Sequence, residues 1–214
     1  MGALLGQERR NHAGTTLRTE KEKALDAYLA AAARTGDRDA LGKLAGRWHR
    51  KLLAHAHRVS GEAELAAEVT QEAWTEIIRG IGGLDDAAAF PAWAFRIVTR
   101  RCARAIGGRQ KRRAGSAALA REDRPEGDNQ AGHETRAELD IVRRAMAELP
   151  AEQRAALGLF YQEGLRIAEI AVALEIAPGT VKTRLMHARN WWPFNWIITD
   201  SVGLSAFRAR RGLQ

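Results

Sequence analysis

One cysteine, Cys102, in 214 residues excludes an internal disulfide. The six histidines are scattered and have no cysteine partners, so a structural zinc site is a poor fit. Long apolar runs are missing as well. Near the N terminus the only such run is Ala3-Leu4-Leu5, short of the roughly 7–15 residues of a secretory signal, and no stretch approaches the roughly 20 apolar residues of a membrane span. No Ser/His/Asp set, metal-ligand cluster or phosphate-cradling glycine loop stands out. These absences lead us to expect a cytoplasmic protein with no integral membrane segment, no cofactor, no metal and no catalytic chemistry of its own.

What is present is positive charge. The formal net charge is +8 and the isoelectric point is near 10.3, which points to a polyanionic partner, nucleic acid first and an anionic membrane surface second. The length exceeds one ordinary domain of about 150 residues and suits two small ones. From residue 24 to about 106 the apolar positions follow helical spacing: Leu25, Tyr28, Leu29 and Ala32, then Leu41, Leu44, Ala45, Trp48 and Leu52, then Leu65, Val69, Ala73 and Ile77. Nothing alternates with a period of two, so the fold class is all-α. Gly36-Asp37 and Ser60-Gly61 break the helices, with Asp37 or Asp39 as an N-cap. Glycine, proline, serine and both charges then replace the periodicity between 107 and about 135, which is linker composition. The expected organisation is an N-terminal arm at 1–20, a helical domain at 21–106, a flexible linker at 107–135, a second helical domain at 136–190, and an aromatic tail at 191–214.

Three constellations carry chemistry. Glu64, Glu68, Glu72 and Glu76 recur every four residues and form an acidic stripe on the third helix. Like charges at that spacing destabilise a helix by about 0.2–0.5 kcal/mol per pair, so the stripe is either a solvated face or the dock of a basic protein. Residues 96–113 hold eight basic side chains (Arg96, Arg100, Arg101, Arg104, Arg109, Lys111, Arg112, Arg113) and no acidic one, with Phe90, Trp93 and Phe95 just before them. Arginines neutralise phosphates and aromatic faces stack on unpaired bases, a mix suited to opened or single-stranded nucleic acid. The competing reading of Trp93 and Phe95 is a place in the core, and for Trp93 it is the favoured one. Finally, residues 166–174, a short connection at 175–177 and residues 178–189 read as a helix-turn-helix. Val181, Leu185 and Ala188 face inward, Thr180, Thr183 and His187 outward, and Lys182, Arg184 and Arg189 flank them within reach of phosphates.

In this order the pieces resemble the extracytoplasmic function sigma factors, the small two-domain members of the bacterial sigma-seventy family. The strings that carry the resemblance are Gly36-Asp37 with Ala40-Leu41, Ala67-Glu68-Val69-Thr70-Gln71-Glu72-Ala73-Trp74, Phe90-Pro91-Ala92-Trp93-Ala94-Phe95-Arg96-Ile97, Leu149-Pro150-Ala151-Glu152-Gln153-Arg154, and Gly179-Thr180-Val181-Lys182-Thr183-Arg184-Leu185. They cover about residues 24–189. The resemblance implies a first domain (region 2) that binds core RNA polymerase and recognises the melting minus-ten element, and a second (region 4) that reads the minus-thirty-five element of promoter DNA. Carried onto this chain, Glu64, Glu68, Gln71 and Glu72 would face polymerase. Phe90, Arg96, Thr99, Arg100 and Arg104, with the loop at 85–90, would meet the minus-ten strand. Thr180, Lys182, Thr183, Arg184 and His187 would lie at the minus-thirty-five groove. An anti-sigma factor is a further partner the resemblance allows. Met186 and His187 stand where basic or aromatic residues are usual, and the Trp191-Trp192-Pro193-Phe194 stretch departs from the family's charged last helix.

The sequence therefore reads as a sigma factor, a non-enzymatic specificity subunit. One rival is a helix-turn-helix regulator that binds duplex DNA without polymerase. Another is a nucleic-acid-modifying enzyme using His55, His57 or Cys102, which the spacing disfavours because residues two apart on a helix point apart.

Overall fold

The computed structural model describes residues 19–115 and 148–190, which are helical with no strand among them. The starts of the first two helices are written locally. Helix α1 (Glu20–Arg34) opens on a capping box in which the Glu22 N–H donates to Thr19 Oγ1 at 3.2 Å and the Thr19 N–H donates to the Glu22 carboxylate at 2.7 Å. Helix α2 (Arg38–Ser60) is capped by Asp37, the first of the two expected candidates, whose carboxylate accepts from Ala40 N–H at 3.0 Å. It ends at Gly61, where φ is 76° and the N–H closes on the His57 carbonyl. Helix α3 (Ala63–Gly80) follows, then two 3-10 turns (Ile81–Gly83 and Ala87–Ala89) and the long α4 (Phe90–Gly115).

Helix α4 corrects one expected boundary: it continues through Gly107 and Gly108 to Gly115, where linker was expected from 107. Two glycines cost a helix about 1 kcal/mol each. The turn beyond them is held from outside by Arg109, which bonds to Glu62 and lies 3.7 Å from Glu68 on α3.

Helices α1–α4 enclose one core, centred on Trp48, Phe90 and Phe95 with Leu44, Leu52, Leu65 and Ile77, all but free of solvent. The ring of Trp48 meets Phe90 edge-on at 5.5 Å and Phe95 at 5.7 Å. Trp93 is half-buried against this core, as favoured. Its ring passes close enough to α3 that a Cβ at Gly80 would stand 3.2 Å from it. His55 is fully buried on Phe95, and its Nε2 lies 3.0 Å from Thr99 Oγ1. Because that hydroxyl gives its proton to the Phe95 carbonyl, the His55 Nε2–H is the donor. Burial, seconded by the Arg58 charge, lowers the His55 pKa to about 3. Cys102 is buried beside it with Sγ 3.8 Å from the Ala56 carbonyl, and desolvation raises its pKa to about 12. Of the three side chains named in the enzyme reading, His55 and Cys102 are thus shut away from any substrate, whereas His57 is exposed.

The second unit begins after Pro150. Helix α5 (Ala151–Leu157) passes into a π-helical turn (Gly158–Gln162), and α6 (Ile167–Leu174) and α7 (Pro178–Asn190) follow. Pro178 opens α7 at a position where the helix makes no use of an N–H. Leu157, Leu159, Ile170, Ala173, Val181, Leu185 and Ala188 form its core.

The two units pack together, α6 along α4 and α5 against α2. Part of that contact is ionic. Arg58 on α2 bonds to Gln162 and lies 3.7 Å from Glu163, which Lys51 also approaches at 3.4 Å. Arg154 Nε donates to the Arg58 carbonyl at 2.8 Å. Gly158 is what lets Arg58 through. Its φ of −61° suits any residue, but a Cβ there would stand 2.7 Å from Arg58 Cδ and Nε. The expected segments at 1–18, 116–147 and 191–214, including the aromatic tail, lie outside the described residues.

Candidate nucleic-acid and polymerase interfaces

In the helix-turn-helix, the inward positions of α7 are Val181, Leu185 and Ala188, all buried. That alone turns Thr180, Lys182, Thr183 and His187 to solvent, and all four are exposed. Thr183 Oγ1 donates to the Gly179 carbonyl at 3.1 Å, which orients the hydroxyl at the start of the helix. Arg184 is held differently: its guanidinium donates to Glu152 at 2.5 Å, a bond from α7 to the start of α5. Hydroxyls and a lysine at a helix start are the equipment for edge and phosphate contacts in a major groove. Met186 is also exposed on this helix.

The arginine face of α4 divides. Arg96 and Arg104 are exposed and Arg100 half-buried, and their spacing of four places all three on one side of the helix. Arg101 and Arg109, counted in the same basic run, turn the other way. Arg101 donates to Glu72 at 2.6 Å and to Glu76 at 2.9 Å, and Arg109 pairs with Glu62 and Glu68. Its hydrogen bonds to Glu72, then Glu76, hold the Arg101 guanidinium still more firmly charged. The acidic stripe therefore has counter-ions within the chain. They relieve the like-charge pairs that the spacing alone left unexplained.

Two expected contacts are corrected. Phe90 has no exposed surface and is clamped between Trp48 and Trp93, so it has no free face for a base. Thr99 Oγ1 is committed to the Phe95 carbonyl and to His55. The sequence placed both near the arginines correctly, but Phe90 at the helix start belongs to the core, and the half-buried Thr99 turns its hydroxyl inward.

On α3, Glu64, Glu68, Gln71 and Glu72 are all exposed. Sequence reasoning missed their neighbours. Trp74 and Ile78, with Ala45, Gly46, His49 and Arg50 of α2, line an open groove of about 440 Å3. Ile78 is 53% exposed, and Trp74 Nε1 is buried with no partner. The signal was available, since 71, 74 and 78 fall on one helical face. Also missed was Glu175, in the turn between α6 and α7. It holds a left-handed φ of 53°, and its carboxylate accepts from Arg96 Nε at 2.7 Å and lies 3.9 Å from Arg100 Nε.

Comparison with known proteins finds two family models in this order. Sigma-70 region 2 matches residues 44–112, and Sigma-70, region 4 matches residues 139–191. The ECF RNA polymerase sigma factor SigM of Mycobacterium tuberculosis is 37% identical over 164 residues, covering 77% of this chain and 81% of that protein. The RNA polymerase sigma-H factor of Pseudomonas aeruginosa is 29% identical over 174 residues, covering 77% and 90%. Among solved structures, CnrH in complex with the cytosolic domain of CnrY superposes with a TM-score of 0.54 at 22% identity, covering 82% of this chain and 98% of that one. The sigma factor RpoE in complex with the anti-sigma factor NepR from Bartonella quintana gives 0.60 at 21%, covering 74% and 96%.

Proposed function

The chain belongs to the extracytoplasmic function sigma factors of the sigma-70 family, and from that membership we propose which of its surfaces meets which partner. As an RNA polymerase sigma factor it directs promoter-specific initiation, and nothing favours the polymerase-independent regulator. Region 2 is the α1–α4 unit. It takes in α1, which precedes the family match but contributes Leu29, Ala30 and Ala33 to the same core. Region 4 is the α5–α7 unit.

Polymerase is met by the exposed face of α3, with Glu64, Glu68, Gln71 and Glu72 offering charge and hydrogen bonds, and Trp74 and Ile78 adding an apolar edge. A basic partner there competes with Arg101 and Arg109 for the carboxylates. Arg96, Arg100 and Arg104 take phosphates of the opened minus-ten strand, and the exposed loop at 85–89 lies beside it. Thr180, Lys182, Thr183 and His187 approach the minus-thirty-five groove, with Arg184 available once it leaves Glu152. The protein acts by binding and positioning, with no reaction of its own, alongside polymerase in the cytoplasm. No helix among the described residues is long and apolar enough to cross a membrane. The structural neighbours were solved with CnrY and NepR, and an anti-sigma factor is a partner of this chain on the same reasoning.

The observation that carries this reading is the pairing in one chain of an exposed α3 acidic face with a helix-turn-helix whose solvent face holds Thr180, Lys182 and Thr183. Run-off transcription with purified core polymerase tests it. Specific transcripts must require this chain, and Gln71→Ala must reduce them through weaker core binding. Promoter binding of equal strength with and without core would overturn it.

A further inference from the structure

The turn of the helix-turn-helix is occupied by the wrong residue for its backbone. Among the described residues Glu175 is the one non-glycine with a positive φ, whereas Gly36, Gly61 and Gly164 fill the comparable positions with φ of 94°, 76° and 64°. Glycine adopts that conformation freely and an L side chain resists it. The Glu175 side chain lies across α4, against Arg96 at 2.7 Å and Arg100 at 3.9 Å. A carboxylate between two guanidinium groups occupies the place a backbone phosphate takes between two arginines.

We propose that Glu175 is an internal phosphate mimic, latching region 4 onto the Arg96 and Arg100 face of region 2 so that the promoter strand must displace it. The inference rests on the assignment of those arginines to the minus-ten strand. The latch is built to open. Its side chains are 44%, 38% and 39% exposed for Arg96, Arg100 and Glu175, so water and salt reach them and a polyanion competes effectively. The other polar contacts of the seam, Arg58 with Gln162 and Glu163 and Lys51 with Glu163, lie apart from the latch and do not touch Arg96 or Arg100. In the closed arrangement the free chain binds single strands weakly, and polymerase, by engaging regions 2 and 4 separately, lifts the mask.

The test is binding of a short fluorescein-labelled single-stranded oligonucleotide to the full chain at low salt. Glu175→Gln should bind about two- to fivefold more tightly, the range expected for an exposed ion pair. Glu175→Gly should do the same with an unfolding midpoint no lower than wild type, because glycine relieves the backbone. Asp39→Asn, an equal charge change on exposed α2, should bind as wild type. Arg96→Ala with Arg100→Ala should weaken binding, and adding Glu175→Gln to that pair should produce no gain. If the arginine pair matters but both Glu175 variants bind as wild type, the latch is overturned and the strand assignment stands. If the arginine pair does not matter, the strand assignment falls and the latch with it. A gain in Asp39→Asn equal to that in Glu175→Gln reduces the effect to net charge and also overturns the latch.

Discussion

Replacing Gly158 by alanine should loosen the seam between the two units, although alanine is the better helix former. The new methyl would stand 2.7 Å from Arg58 Cδ and Nε and 2.9 Å from Cζ, where carbon atoms prefer about 3.5–4.0 Å. The arginine must retreat by roughly 1 Å. A surface arginine would do so freely, but this side chain is only 10% exposed and held by Gln162 and Glu163. Retreat strips a buried guanidinium of partners while Glu163, 5% exposed, keeps only Lys51 at 3.4 Å. Overpacking of this kind costs about 1–3 kcal/mol, and the helix gains back about 1 kcal/mol from the loss of glycine. The net is about 0–2 kcal/mol of destabilisation, with roughly 2–4 °C of melting temperature per kcal/mol for a chain of this size. Circular dichroism melts of Gly158→Ala, Arg58→Ala and the double variant form a cycle. Without Arg58 the methyl has room, so the same substitution should become stabilising. A rise in melting temperature for Gly158→Ala alone would show that Arg58 steps aside freely and would refute the reasoning.

Three further outcomes follow from the structure. Gln71→Ala should reduce affinity for core polymerase in a co-purification assay with the melting temperature unchanged, because the side chain is exposed; a parallel loss of stability would make it structural. Stability should fall as pH drops from about 6.5 toward 3. Folded His55 stays neutral, its pKa lowered to about 3 by burial and then by Arg58, while the unfolded chain takes up the proton near 6.5, and the similarly lowered His57 adds in the same direction. Unfolding free energies from urea titrations across that window should slope by at most about 1.4 kcal/mol per pH unit for each of the two histidines, and an equal slope in His55→Gln would place the effect elsewhere. At the upstream element, Lys182→Ala should weaken all sequences alike and reduce the salt slope by about one, whereas Thr183→Ala should alter the preferred sequence by about 1–3 kcal/mol of discrimination. Selection from randomised DNA separates the two.

The helices and their order were legible because their signals are local: Asp37, Gly61, Pro150 and Pro178 each act within a turn of where they stand. The helix-turn-helix face was legible for the same reason, since Val181 and Leu185 fix its orientation without reference to anything distant. What escaped depends on a second helix. The partners of Glu72 and Glu68 stand on α4, so a stripe that looked uncompensated in one helix is compensated in the pair. Phe90 and Thr99 read as part of a basic, aromatic surface because a helix period does not say which stripe the neighbouring α2 covers. Glu175 escaped for a further reason: both its backbone strain and its charge partners are properties of the fold, and in the sequence it is one more glutamate in a turn.

The burial of Cys102 has a practical and a physiological side. Its thiol has no solvent exposure and is pushed up to about 12, so at neutral pH it offers almost no thiolate to an alkylating dye, to peroxide or to a metal. A cysteine placed on either unit can therefore be labelled in the otherwise native chain, since no other cysteine competes. In the cell, the same seclusion keeps the Cys102 thiol from acting as a sensor of oxidants. An oxidant would reach Cys102 only after the helices around it had opened, so its modification would report unfolding.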